Sequence, residues 1–242
     1  MNKIKINYKN PLLLGVIAST LILNACGSSS NNSAIEKVDK TYKVTLNNVT
    51  ANQPLSPAMV VLHKPSLHLF EAGKPASVGL EKLAEGGSNL ELIDEAKADD
   101  AFLASKSGAG AIPPGAAGTV ELSISEDEDS VYISVAAMLV NTNDAFAGGS
   151  SSKISKLQKG ESFSMHVPIW DAGTEANSEA AGTLPGPADG GEGFNASREG
   201  DADFVAIHQG IVSNADGFAS SVLGESHRFD NPGALLRVER ID

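Results

Sequence analysis

Val131-Tyr132-Ile133-Ser134-Val135-Ala136-Ala137-Met138-Leu139-Val140 runs straight into Asn141-Thr142-Asn143-Asp144-Ala145-Phe146. Val131, Ile133 and Val135 alternate with period two, and the run then becomes apolar at every position. That pattern predicts a central strand covered on both faces. The polar loop after it begins a second hydrophobic segment. A similar junction recurs at Trp170-Asp171-Ala172-Gly173-Thr174-Glu175, again directly after a strand pattern. If the two strands are neighbours, the carboxylates, amide oxygens and freed backbone carbonyls of both segments gather at one end of a sheet. A hard cation such as calcium takes six to eight oxygens from loops of this kind.

Other segments show the same β rhythm. Tyr42, Val44 and Leu46 share one face of a strand, as do Val120, Leu122 and Ile124, and Phe163, Met165 and Val167. Phe204 to Ile207 and Leu235 to Ile241 predict two more strands. In-out alternation of this type belongs to antiparallel sheets with one solvated face. Pro75, with Leu80, Leu83, Ala84 and then Gly86-Gly87, predicts one short helix. Ser88-Asn89-Leu90-Glu91 reads as a capping box opening a second. Lys106 to Gly118 is a turn-rich connection. Ala172 to Gly200 is the longest irregular stretch, of a length usually reserved for functional or disordered loops. The expected architecture is an all-β antiparallel sandwich with one or two short helices in a connection.

The start of the chain reads as a targeting device. Lys3, Lys5 and Lys9 precede an apolar run, Pro11 to Leu23, too short to span a bilayer comfortably. Leu23-Asn24-Ala25-Cys26 resembles a lipobox, with Cys26 as the lipidated residue of the processed chain. It is the sole cysteine, so no intramolecular disulfide is available. Acyl chains on Cys26 would anchor the protein to a membrane, each buried methylene contributing ~0.8 kcal/mol. Gly27, in place of an inner-membrane retention aspartate, favours the outer membrane, with the domain periplasmic or surface-exposed. The expected organisation is a signal peptide over 1–25, a polar tether over 26–40 and one domain over 41–242 of the bacterial cell envelope.

Three of the 18 lysines and arginines lie in the leader, which carries no acid. The processed chain thus sets 15 basic against 30 acidic side chains, a formal charge of −15. Nucleic acid is excluded as a partner, because phosphate binding needs a concentrated basic surface. Enzyme chemistry finds little support. There is no Gly-x-Ser-x-Gly elbow and no catalytic cysteine. His63, His68, His166, His208 and His227 follow no helical metal spacing; His166 falls on a polar strand face, and His208 is expected to pack or hydrogen-bond. A zinc site using His63 and His68 needs ligands from elsewhere. A pair of carboxylates acting on cell-wall or matrix polysaccharide is the enzymatic alternative. Trp170, the single tryptophan, is expected to anchor its loop in the core. Glu126-Asp127-Glu128-Asp129 reads as a charged hairpin tip. A metal-free structural lipoprotein, with these loops as satisfied turns, is the remaining alternative.

Beyond these readings, the ordered set Val44-Thr45-Leu46, Gln53-Pro54-Leu55-Ser56-Pro57, His63-Lys64-Pro65, Leu69-Phe70-Glu71-Ala72-Gly73, the Asn141–Phe146 and Trp170–Glu175 segments and Asp230-Asn231-Pro232 resembles the bacterial branch of the spondin N-terminal domain family. The resemblance spans Tyr42 to Ile241. It implies a β-sandwich similar to calcium-dependent membrane-binding modules, with one bound calcium. Asp144, Asp171 and Glu175 match the family's acidic positions, with Asn143 and Asn141 as additional oxygen donors. In animal members the domain serves adhesion, which implies an extracellular protein or glycan partner. This chain departs from the animal pattern at Ala145, where an aromatic is usual, at Glu175 in place of aspartate, and in lacking the animal cysteines.

Overall fold

The computed structural model describes residues 39–125, 128–197, 200 and 202–242. Cys26, the leader, most of the tether, and Glu126 with Asp127 lie outside the described residues.

Ten strands and two α-helices follow in order among the described residues, with two short 3-10 turns at Asn214–Asp216 and Glu225–His227. They are β1 (Lys40–Asn48), β2 (Met59–His63), α1 (Val78–Gly86), α2 (Leu90–Lys97), β3 (Phe102–Ser107), β4 (Ala117–Ile124), β5 (Tyr132–Met138), β6 (Ala145–Lys153), β7 (Ser162–Val167), β8 (Ile169–Asp171), β9 (Ala206–Ile207) and β10 (Ala234–Arg240). They form two antiparallel sheets, ordered β4-β1-β10-β7 and β3-β2-β5-β6-β8-β9. The fold is an all-β sandwich.

Period-two alternation explains how each strand is used. In the four-stranded sheet Val44 lies opposite both Val120 and Val238, and Leu236 lies between Leu46 and Met165. These residues point at the second sheet and join Val60, Leu62, Ile133, Val135 and Ala137 in the main core. The intervening positions Thr45, Thr119, Arg237 and Ser164 line the solvent face. β2 and β5 are different, because both of their faces are buried. Met59, Val61 and Ala136 point away from the first sheet and pack beneath Leu80, Leu83, Leu92 and Ile93 of the helices. The helices therefore form a third layer, and the continuous apolar run of β5 is what a strand between two cores requires.

The helix starts differ from the sequence reading in detail. α1 begins at Val78, with Ser77 as its cap instead of Pro75. The Ser77 hydroxyl accepts from Leu80 N–H at 3.2 Å and donates to Glu95 of α2 at 2.6 Å. Glu95 also accepts from Gly79 N–H at 2.7 Å, so one carboxylate ties both helices together. Ser77→Ala removes a cap and this tie. We expect a loss of about 1 kcal/mol, read as a melting temperature lower by roughly 2–4 °C for a domain of this size. For α2, Ser88 bonds the Glu91 side chain at 2.9 Å rather than forming a reciprocal box. Asn89 precedes the helix without capping it; its amide bonds Pro57 O and Ser107 Oγ instead.

β10 enters the middle of the smaller sheet, between β1 and β7, so the C-terminal segment is integral to the sandwich. β7 and β8 are separated only by Pro168, where the chain passes from one sheet to the other.

Candidate functional site

Asp144 sits at the mouth of β6, at the end of the turn from β5. Thr142 shapes that turn: its hydroxyl donates to Leu139 O at 2.7 Å and accepts from Ala145 N–H at 3.0 Å. β6 pairs with β8 so that Ala145 faces Asp171 and Phe146 faces Trp170. The strands preceding the two acidic segments, β5 and β8, are thus not direct neighbours; β6 lies between them and carries Asp144 to β8. The convergence expected from the sequence is reached by this hairpin.

The segment after β8 folds around Asp144. Ala172 N–H donates to Asp144 O at 3.2 Å, while Thr174 and Glu175 N–H donate to Asp144 Oδ2 at 2.8 and 3.0 Å. Gly173 makes the turn with φ of 74° and has Phe204 backbone against it, so no side chain fits there. Asp171 braces the turn by accepting from Gly173 N–H at 2.8 Å. Its other oxygen accepts from Asn177 Nδ2 at 2.6 Å.

Behind Asp171 lies a relay that the sequence did not disclose. Gly210 N–H donates to His208 Nδ1 at 3.0 Å, which leaves Nε2 as the donor to Asn177 Oδ1 at 3.1 Å. His208 is buried, edge-on to Phe229. Burial lowers its pKa, against the pull of the Asp171 charge. The packing role expected for His208 is what the structure has. His166 is exposed on β7. His63 is buried with both ring nitrogens engaged, by Lys64 O and Ser134 Oγ, so it offers nothing to zinc. Trp170 anchors its strand by donating to Gly148 O at 2.9 Å and meeting Phe70 edge-on.

The two asparagines do different work. Asn143 links Glu175, which accepts from its Nδ2 at 3.2 Å, to Glu179, whose N–H donates to its Oδ1 at 3.1 Å. Asn141 clasps two segments: Ala188 N–H donates to its Oδ1 at 3.0 Å, and its Nδ2 donates to Asn52 O at 3.2 Å. Asn141 therefore positions the long loop, while Asn143 stays within the acidic cluster.

The electrostatics are those of acidic groups buried together. Asp144 is 0% exposed and Glu175 2%. Asp144 Oδ1 is buried with no hydrogen-bond partner, and neither Asp144 nor Asp171 is ion-paired among the described residues. Burial, and next the Asp171 charge, push the Asp144 pKa up to about 7, even though the Thr174 and Glu175 amides pull it down. Glu179, 2% exposed, is likewise pushed up to about 7 by burial, with Val212 N–H opposing. A buried carboxylate oxygen without a donor is costly unless a proton or a cation meets it. The donors present are all oxygen, as calcium requires, and in this respect the residues fit that ion. Among the described residues no three His, Cys, Asp or Glu side chains form a ready metal cluster. Amide and backbone oxygens would have to supply much of a shell here.

With this geometry in place, a comparison with protein families shows that the Spondin_N family profile aligns with residues 40–182, more than half of the chain. The chain belongs to the spondin N-terminal domain family. The matched region runs from the start of β1 through both acidic segments, and β9 and β10 complete the spondin sandwich beyond it. No curated protein matches the chain.

Proposed function

We propose that this chain is an exported, lipid-anchored binding module of the bacterial cell envelope, organised by calcium and without catalysis. The observation that carries the reading is Asp144. It is fully buried, has one oxygen with no donor, and lies beside Asp171 inside a turn built around it. Calcium would supply the missing positive charge and draw the β5–β6 turn and the Asp171–Glu175 turn together. Asp144, Asp171 and Glu175 would hold it, with Asn143 as a supporting oxygen.

The rim next to the site has apolar character suited to a partner. Phe204 packs its backbone on Gly173, and Ile207 of β9 pairs with Trp170; both side chains are substantially exposed. An extracellular protein or glycan meeting these loops would sense whether calcium holds them. A polysaccharide hydrolase fits less well, since its acid must reach substrate and Asp144 is shielded from solvent.

Melting the domain with calcium or with chelator tests the ion. A ligand at 100 times its dissociation constant stabilises by about 2.7 kcal/mol, so the midpoint should rise by roughly 5–10 °C. Identical midpoints would contradict the reading. No helix among the described residues is long and apolar enough to cross a membrane, and the proposed membrane link is the lipid at Cys26. Cys26→Ala should move the protein from the membrane fraction to the soluble one; unchanged fractionation would refute the anchor.

A further inference from the structure

Four strands end the two sheets: β4 and β7 in the smaller, β3 and β9 in the larger. An edge strand offers a row of backbone N–H and C=O groups to any strand that comes alongside, and charges, prolines or neighbouring elements usually block it. Three of these edges are blocked. β3 and β4 lie against each other where the two sheets meet, and they carry Lys106 and Glu121. β9 is only two residues long. β7 has none of these defences. Its six residues, Ser162-Phe163-Ser164-Met165-His166-Val167, include no Asp, Glu, Lys, Arg, Pro or Gly.

The side chains of β7 also stop short of full burial. Phe163 and Met165 pack against the main core but are only partly buried, whereas their facing residues on β10, Val238 and Leu236, are 0% and 1% exposed. The core thins toward this edge, and a strand added there would cover both side chains. On the solvent face Leu235, 38% exposed, sits opposite His166 and helps line a groove with Asn47, Ser164 and Arg237. Arg237 pairs with Glu239 at 3.1 Å, so the face behind β7 carries little net charge.

The strand suits a second copy of itself. In an isologous contact a residue on the two-fold axis meets its own copy, so a charge there meets a like charge. β7 brings no such charge, in a chain whose formal charge is −12. Antiparallel pairing centred on Ser164 sets Phe163 against Met165 of the second copy, and Ser162 against His166. Apolar then meets apolar on the core side, and polar meets polar on the solvent side. A slip of one residue would set Phe163 against a polar position, so the alternation fixes the register.

We propose that β7 pairs with β7 of a second copy across a two-fold axis, joining the two smaller sheets into one. The contact is independent of the calcium reading, since no residue of β7 belongs to either acidic segment. It is one strand wide, which makes a dimer in reversible exchange with monomer, not an obligate one.

The test is sedimentation of residues 37–242, which contain every core residue described, in chelator, for the wild type, Ser164→Lys and Ser123→Lys. Ser164 and Ser123 are exposed positions of β7 and of the opposite edge β4. Lysine reduces the net negative charge of each copy, so weaker association of Ser164→Lys cannot come from overall repulsion. The wild-type mass is expected to rise from one chain toward two between micromolar and millimolar concentration. Ser164→Lys should dimerise at least about tenfold more weakly, and Ser123→Lys like the wild type. Mild oxidation of Ser164→Cys, the single thiol of that segment, should link two copies, because facing residues of an antiparallel pair lie about 4.5–5.5 Å apart at Cα, inside the ~4.4–6.8 Å that a disulfide spans. Ser123→Cys should stay unlinked. A wild type that remains monomeric at millimolar concentration, a Ser164→Lys variant that dimerises like the wild type, or Ser164→Cys linking no more than Ser123→Cys would each overturn the inference and leave the calcium reading untouched.

Discussion

Asp144→Asn is expected to abolish calcium-dependent stabilisation while leaving the calcium-free domain at least as stable as the wild type at pH 8. The two effects have opposite signs for one reason. In the wild type Asp144 is a fully buried carboxyl near the negative charge of Asp171, so its ionised form is held against burial and repulsion together. Asparagine keeps the shape and keeps an oxygen for the Thr174 and Glu175 amides that now reach Oδ2. It removes the charge that costs stability without a cation and that holds the ion with one. We expect at least a 100-fold weaker calcium affinity, about 2.7 kcal/mol. Asp171→Asn should weaken calcium by a comparable factor, and it additionally sets an amide against the Asn177 Nδ2 donor, so its calcium-free form should melt lower than that of Asp144→Asn. Paired melting curves in calcium and in chelator check both. An Asp144→Asn variant that keeps the wild-type calcium shift would remove the basis of the assignment.

Without divalent cations the domain is expected to lose stability as pH rises from about 4 to about 8. The Asp144 carboxyl has an ordinary pKa of 3.8 when exposed and about 7 in the fold. Between those values the folded state binds more protons than the unfolded chain, so stability is greatest below the lower value and is lost as pH climbs through the upper one. For Asp144 alone the span corresponds to about 4 kcal/mol at most. Glu179 contributes in the same direction. Saturating calcium should flatten this decline, because the ion replaces the proton as the neutralising charge. The calcium-induced midpoint shift should accordingly be small near pH 5 and large near pH 8. Chemical denaturation at pH 5, 6, 7 and 8, with calcium and with chelator, reads the slope directly. Stability that rises with pH in chelator would contradict the buried, cation-free carboxyl.

These sign-specific expectations depend on contacts of very different legibility in the sequence. β5 could be read from its residues because burial on both faces leaves an unbroken apolar run, and the two cores on either side of Val135 and Ala136 account for it. The alternation of β1, β4 and β7 likewise records one core face and one solvent face. The expected strand from Phe204 to Ile207 shrinks to Ala206–Ile207 for a tertiary reason. Phe204 backbone is committed to Gly173, and Val205 bonds Lys74 and Gly73 across the loop, so neither continues the ladder.

The site shows the same division. Asp144, Asp171 and Glu175 stand out because small and polar residues follow a hydrophobic strand at both places, a local pattern. The division of labour between Asn141 and Asn143 is not local, since Asn141 is fixed by Ala188 and Asn52, both far along the chain. Glu85 and Glu179 had no signal at all. Glu85 ends a helix whose sequence explains itself by Leu80, Leu83 and the Gly87 cap. Its burial arises only when α1 is laid over β5 and β6. Glu179 acquires its burial from the loop packed around Leu184, Ile211 and Leu223. Carboxylates buried by layer and loop packing leave no spacing to read.

Titration of calcium into the chelator-treated wild-type domain at pH 8, followed by calorimetry, addresses the central claim most directly. The account predicts a saturable heat with one ion bound per chain. No heat up to millimolar calcium, together with a full complement of folded domain, would contradict it.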